Sequence, residues 1–279
     1  MPVTINLAYE PTAIPTVNQQ ADILYASNQW ELALNANGHN LTINAEVWAV
    51  DMSATPLNAM CVPGLIQTAN ATLTRPQAKL SGDLVRNDPA VDIVIIMDTV
   101  TPWVLGTPPL VAVGPNQHSL STTIMHEICH GLGFLGLCNV DTTVMPNIGI
   151  YTDANLLVQL TATLGAMVPV VTLPAYFFPA VPASGFGVIT PFANLFQYVP
   201  PLLVKGTPAD DFVAFTTANN IIIHSPNANY TVLSTLPFHP FTTCDHIVGA
   251  PYLMNPSTEG QYYPAPDAAS LDILQLIGW

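Results

Sequence analysis

The sequence predicts a mixed α/β (α+β) protein, in which an N-terminal sheet lobe carries a central helix and a C-terminal lobe is irregular. Two observations support this class. Helical and strand-like hydrophobic patterns alternate up to about residue 136, and from about residue 137 to 279 regular patterns become sparse and prolines frequent. With 279 residues the chain is long enough to bury a full core, and we interpret residues 1–279 as a single domain with an insertion at 140–240.

The first elements are a helix and two strands. Apolar residues at helical spacing, including Ile23 and Trp30, predict a helix within residues 20–36. Residues 41–50 alternate between apolar and polar side chains and predict a half-buried strand. Residues 91–97 form a continuous apolar run and predict a strand buried on both faces.

A second helix is predicted after residue 116. Either Ser119 or Ser121 is a suitable N-cap, and Ile124 and Ile128 repeat at i, i+4 on a face that packs inward. Glycine disfavours helix by about 1 kcal/mol relative to alanine, so the helix is expected to end near Gly133.

This helix carries the sequence His126-Glu127-Ile-Cys-His130. Residues four apart lie one turn above each other, so the two imidazoles reach one metal ion while Glu127 lies beside it. Neutral imidazoles bind Zn²⁺ without cancelling its charge, the ion activates a water molecule, and a carboxylate removes the proton. The pattern therefore predicts a zinc hydrolase, with His126 and His130 as ligands and Glu127 as the general base.

The charge balance excludes some partners. The chain has 18 acidic and 4 basic residues and a net charge of −14, which disfavours nucleic acid and anionic membranes as partners. With so few charges, uncharged polar residues must cover the surface, which favours a secreted, extracellular protein. No signal peptide is recognisable at the start of this chain.

No transmembrane span is predicted. Residues 154–204 lack charged side chains, but seven prolines interrupt them, so no apolar helix of about 20 residues fits there. This segment is interpreted as a packed insertion, with an apolar surface for a membrane or partner as the alternative.

The sequence resembles the metzincin-clan zinc metallopeptidases, whose motif is HExxHxxGxxH followed by a methionine turn. His126 to Gly133 match the motif, whereas Gly136 stands where the third histidine is usual. The chain is similar to the leishmanolysin-like branch, which has HExxHxxGF, a long insertion and a distant third histidine before the turn. Phe134, His246 and Met254 fit that variant.

The resemblance implies a zincin-type metallopeptidase fold and a zinc-dependent endopeptidase with a protein or peptide substrate. It implies that Met254 forms an apolar floor beneath the ligands, and that residues 267–279 form the closing helix. His246 is the expected third ligand, because a catalytic zinc needs three protein ligands. His239 and a carboxylate such as Asp245 remain alternatives.

Four cysteines allow two disulfides. A bridge between Cys138 and Cys244 would close the insertion at its base and bring His246 near the metal. The alternative is four reduced thiols. Cys61, in a loop-like segment, could instead block the zinc as a thiolate in a latent form.

Two other function classes stay open. One is a zinc hydrolase of a non-peptide ester or amide, which a deep closed pocket would indicate. The other is an inactive metzincin-like adhesion or structural module, although such a module has no need of the base Glu127.

Overall fold

The computed structural model describes most of the N-terminal half and the C-terminal end of the chain. The described residues are 2–135 except 54, 56, 68–71 and 107–112; 138–141; 149–152; 207–208; 221–232 except 226; and 246–279 except 250. The predicted mixed α/β class is confirmed, with four helices and several small sheets in these residues.

The helices are α1 (Val17–Asn35), α2 (Arg75–Ser81), α3 (Leu120–Leu132) and α4 (Ala268–Leu276). The strands in chain order are β1 (Thr4–Tyr9), β2 (Thr42–Val50), β3 (Ala59–Pro63), β4 (Leu65–Gln67), β5 (Thr72–Thr74), β6 (Ile93–Asp98), β7 (Trp103–Val104), β8 (His118–Ser119), β9 (Cys138–Asp141), β10 (Gly149–Thr152), β11 (Thr207–Pro208), β12 (Ile221–His224), β13 (Asn229–Val232) and β14 (Ile247–Val248).

The main sheet has the strand order β1-β2-β6-β3. Strands β1, β2 and β6 are parallel, and β3 adds to the edge in the antiparallel direction. All six residues of β6 are buried, as its continuous apolar run predicts, whereas β2 alternates over most of its length. The interpretation of the segment around Cys61 as loop-like is wrong, because this segment forms strand β3. Its terminal Pro63 is tolerated because β3 is an edge strand.

Helix α1 packs against α3 beside the sheet. Thr16 and Gln19 form a capping box that starts α1. Trp30, which is fully buried, donates a hydrogen bond from its indole nitrogen to the Met125 carbonyl of α3 at 2.9 Å. This bond fixes α3 relative to α1 next to the histidine motif.

Helix α2 is attached to the sheet by buried ion pairs. Lys79 lies with its Nζ 2.6 Å from Asp92 Oδ2, and it also donates to the Thr42 carbonyl at 2.8 Å. Arg75 contacts Asp92 at 3.2 Å and Asp88 at 2.8 Å. Two of the four basic residues of the chain are therefore used inside the fold.

Lys79→Met is expected to lower the free energy of unfolding by about 3 kcal/mol, because it leaves the buried Asp92 carboxylate without its closest partner. Urea denaturation followed by circular dichroism measures the loss. Arg86→Met removes the same charge from an exposed position and should leave the midpoint unchanged. Equal midpoints for the two variants would contradict the structural role of Lys79.

The main hydrophobic cluster of the described residues joins the sheet, α1 and α3 to the C-terminal segment. Ile247, Leu253, Met254 and Ile273 belong to it and are fully buried. No helix in the described ranges has both the length and the apolar character needed to cross a bilayer.

Candidate metal centre

Helix α3 begins and ends where the sequence predicts. Ser119, one of the two candidate caps, accepts a hydrogen bond from the Thr122 backbone amide, and Gly133 ends the helix. Gly133 has φ of 125°, and a Cβ there would lie 2.5 Å from Gln77 Cδ, so the position requires glycine. The sharp end of α3 turns the next residue, Phe134, back toward His130.

Three histidines meet beside α3. His126 and His130 place their Nε2 atoms 3.0 Å apart, and His246 Nε2 lies 3.2 Å from His126 Nε2. All three residues are buried, and their ligand atoms lie within 4.8 Å of one another. The site therefore contains the ligand pair predicted on the helix and the distant histidine predicted to complete it.

Backbone carbonyls fix the tautomers of the two α3 histidines. His126 Nδ1 donates to the Leu253 carbonyl at 2.7 Å, and His130 Nδ1 donates to the Phe134 carbonyl at 2.6 Å. Since a carbonyl only accepts, the proton of each neutral ring is on Nδ1, and each Nε2 presents a lone pair to the other. Burial, and then the neighbouring His246, lower the pKa of His126 to about 3, which keeps this ring neutral.

These three side chains fit a bound metal ion. Two Nε2 lone pairs facing each other at 3.0 Å repel unless a cation lies between them. Nitrogen ligands about 2.0–2.1 Å from a tetrahedral zinc lie roughly 3.3 Å apart, close to the separations found here. The histidines are thus close enough to hold a metal ion, and His126, His130 and His246 would be its ligands.

The turn around Met254 supports two of the three histidines. The Leu253 carbonyl accepts from His126, while the Met254 carbonyl accepts from the Ile247 amide at 2.9 Å, directly after His246. The Leu253 amide in turn donates to Asp267 at 2.8 Å, and Asp267 also caps α4. Adjacent residues of one turn therefore orient histidines from two distant parts of the chain.

Glu127 is buried with 7 % of its surface exposed. It lies one turn before Gly131, where an added Cβ would be 3.0 Å from Cys61 Sγ on β3. After burial itself, the negative charge of Glu127 is a cause of the raised pKa of the Cys61 thiol. Glu127 is therefore buried, and its charge acts on the thiol of the edge strand β3.

The thiols of Cys61 and Cys129 are free and buried. The pKa of Cys61 is raised well above its usual value, mainly by burial, so it is a protonated thiol. It does not belong to the histidine group, which argues against the latent thiolate at the metal. The proposed Cys138–Cys244 bridge lies outside the described residues, since the side chain of Cys138 and all of Cys244 do.

The other candidate ligands lie elsewhere or outside the described ranges. His239 and Asp245 lie outside the described residues. His118 contacts Asn58 at 3.1 Å and packs edge-on against Trp103, away from the histidine group.

Sequence reasoning did not identify Asp267 or Asp272 as part of the surroundings of the site. Asp267 has a local signal, because an aspartate three residues before Ser270 is a typical N-cap. Asp272 has none, since its hydrogen-bond partners come from more than 40 residues earlier in the chain.

Comparisons with protein-family models, with curated proteins and with solved structures found no match to this chain. The fold and site together define a mixed α/β protein with a buried three-histidine centre that can hold a metal ion. The chemistry of that centre is therefore deduced from its own side chains.

Proposed function

We propose that this protein is a zinc-dependent endopeptidase of the metzincin clan, similar to the leishmanolysin-like branch. The observation that carries the proposal is the position of His246, whose Nε2 lies 3.2 Å from His126 Nε2 although the two residues are 120 apart in sequence; His126 Nε2 lies 3.0 Å from His130 Nε2. The resemblance predicts His246 as the third ligand, and an ordinary buried histidine is not expected to lie beside two histidines of a distant helix.

The order of elements supports a zincin-type fold. Strand β1, helix α1 and strands β2 to β6 precede α3, as the resemblance implies for the N-terminal lobe. Helix α4 follows the Met254 turn at the position expected for the closing helix, and Met254 is fully buried in the core. An α/β lobe, a histidine helix and a supported methionine turn form one consistent arrangement.

Zinc is the metal proposed, because three neutral imidazoles and an open fourth position are the donor set of catalytic zinc sites. When bound, Zn²⁺ lowers the pKa of a coordinated water to roughly 7 and polarises the scissile carbonyl. The Leu253 and Phe134 carbonyls keep the protons of His126 and His130 on Nδ1 and their Nε2 atoms free to bind.

Glu127 is the proposed general base. It accepts the proton of the attacking water and delivers it to the leaving amine. Its burial strengthens its electrostatic interaction with reacting groups. We further propose that the protein acts on protein or peptide substrates outside the cell, in line with its composition.

Removal of metal is expected to abolish proteolysis. Purified protein should contain zinc in elemental analysis, cleave casein or gelatin, lose that activity with phenanthroline and recover it on addition of Zn²⁺. Each of these steps depends on the three-histidine site. Cleavage that continues in metal-free protein would refute the proposal. Bound zinc without any peptide cleavage would favour a hydrolase of small esters or amides instead.

A further inference from the structure

The buried carboxylate of Asp272 on α4 forms hydrogen bonds with the β12–β13 hairpin, which is distant in sequence. Asp272, with 9 % of its surface exposed, accepts hydrogen bonds from Ser225 Oγ at 3.0 Å, Asn227 Nδ2 at 2.5 Å and Tyr230 Oη at 2.6 Å. All three donors lie in the β12–β13 hairpin or its turn. Burial raises the pKa of Asp272, but these hydrogen bonds outweigh it and lower the pKa overall. The anchor is therefore an ionised carboxylate surrounded by neutral donors.

The same hairpin pairs with the strand that follows His246. In the antiparallel pair β13–β14, Thr231 lies opposite Val248 and Val232 opposite Ile247. Ile247 is the first residue of β14 and directly follows His246, so the pairing fixes the backbone immediately after His246. No residue separates the paired strand from this histidine.

Tyr230 connects the hairpin to the methionine turn as well. Its hydroxyl donates to Asp272, and its ring packs edge-on against Tyr252 with centroids 6.0 Å apart. The backbone carbonyl of Tyr252 also accepts a hydrogen bond from the Asn255 backbone amide, within the turn that contains Met254. The Tyr230 side chain thus contacts both Asp272 and the Met254 turn. Its strand, β13, pairs with β14 directly after His246.

We infer that Asp272 is a positioning residue for the third metal ligand, acting on His246 through Tyr230 and the β13–β14 pair. This inference rests on the metal site of the proposed function. His126 and His130 share one helix, whereas His246 directly precedes the two-residue strand β14. The Asp272 anchor acts on the segment that carries His246.

The test measures metal binding in folded protein rather than activity alone. Asp272→Asn should weaken Zn²⁺ binding by about tenfold, the lower end for lost partners that orient a metal ligand, and should alter the visible spectrum of bound Co²⁺. Tyr230→Phe keeps the ring against Tyr252 and removes only the hydroxyl. It should change affinity and spectrum in the same direction by a smaller factor, even if Asp272→Asn folds poorly.

Asp98→Asn is the matched control. Asp98 is also a buried carboxylate that accepts several hydrogen bonds, but its donors follow strands of the main sheet: Met52 follows β2, and Val100 and Thr101 follow β6. This variant should lose stability and retain both the metal affinity and the Co²⁺ spectrum. Equal losses of affinity in Asp98→Asn and Asp272→Asn would overturn the positioning role.

A double variant tests the route of the effect. In a His246→Ala background, Asp272→Asn should cause no further loss of Zn²⁺ affinity, because the residue through which it acts is gone. A further tenfold loss there, or wild-type binding by Asp272→Asn alone, would refute the inference. Wild-type protein that binds zinc but cleaves no peptide would refute only the proposed peptidase, and protein that binds no metal would refute both.

Discussion

Glu127→Gln is expected to reduce peptide hydrolysis by about 10³- to 10⁴-fold and to leave zinc binding intact. The amide keeps the size and shape of the carboxylate but cannot accept a proton from water. Glu127→Ala should behave alike, since Glu127 is not one of the three side chains proposed to bind the metal. The measurements are the rate of casein cleavage and the zinc content of the purified variants.

Glu259→Gln is the control for this prediction. It removes the same charge from an exposed residue just after the Met254 turn and should retain the wild-type rate. Cleavage by Glu127→Gln at a near wild-type rate would show that another group is the base.

His246→Ala is expected to weaken Zn²⁺ binding by at least about a hundredfold, because a site worth roughly 10–16 kcal/mol loses one of its ligands. Only His126 and His130 then remain to bind the ion. Titration against a chromophoric chelator measures the change. Peptidase activity at ordinary zinc concentrations should disappear with it.

The competing histidines provide the comparison for His246. His239→Ala and His224→Ala should bind zinc as the wild type does, and so should His118→Ala, whose side chain contacts Asn58. A larger loss in His239→Ala than in His246→Ala would show that the wrong third ligand was chosen.

The local parts of this site follow from the sequence. The cap at Ser119, the end of α3 at Gly133 and the pairing of His126 with His130 all depend on residues close together in the chain. Hydrophobic periodicity and helix capping involve residues only a few positions apart, so they can be predicted from sequence patterns. His246 was reached only through resemblance, because no periodicity connects it to α3.

The long-range contacts could not be predicted in this way. The burial of Lys79 against Asp92, the bond from Trp30 to the Met125 carbonyl and the Asp272 anchor each join segments that no local pattern relates. A basic residue is usually exposed, so its burial depends on a partner supplied by the tertiary fold. The edge strand β3 was missed because it lacks alternation and ends in proline.

The chain leaves the histidine centre at Leu135 and returns to it at His246, with residues 136–245 between them. At the first end the Phe134 carbonyl accepts a hydrogen bond from His130, and at the second end the Ile247 amide donates one to the Met254 carbonyl. A metal ion bound by both ends would close the chain between them as a crosslink. Because the closure entropy of a flexible chain grows only by about 0.6 kcal/mol per doubling of length, the length of this connection would contribute little to the stability of the centre. Changes in the β12–β13 hairpin within this connection should instead matter, because its contacts with Asp272 and β14 support the backbone next to His246.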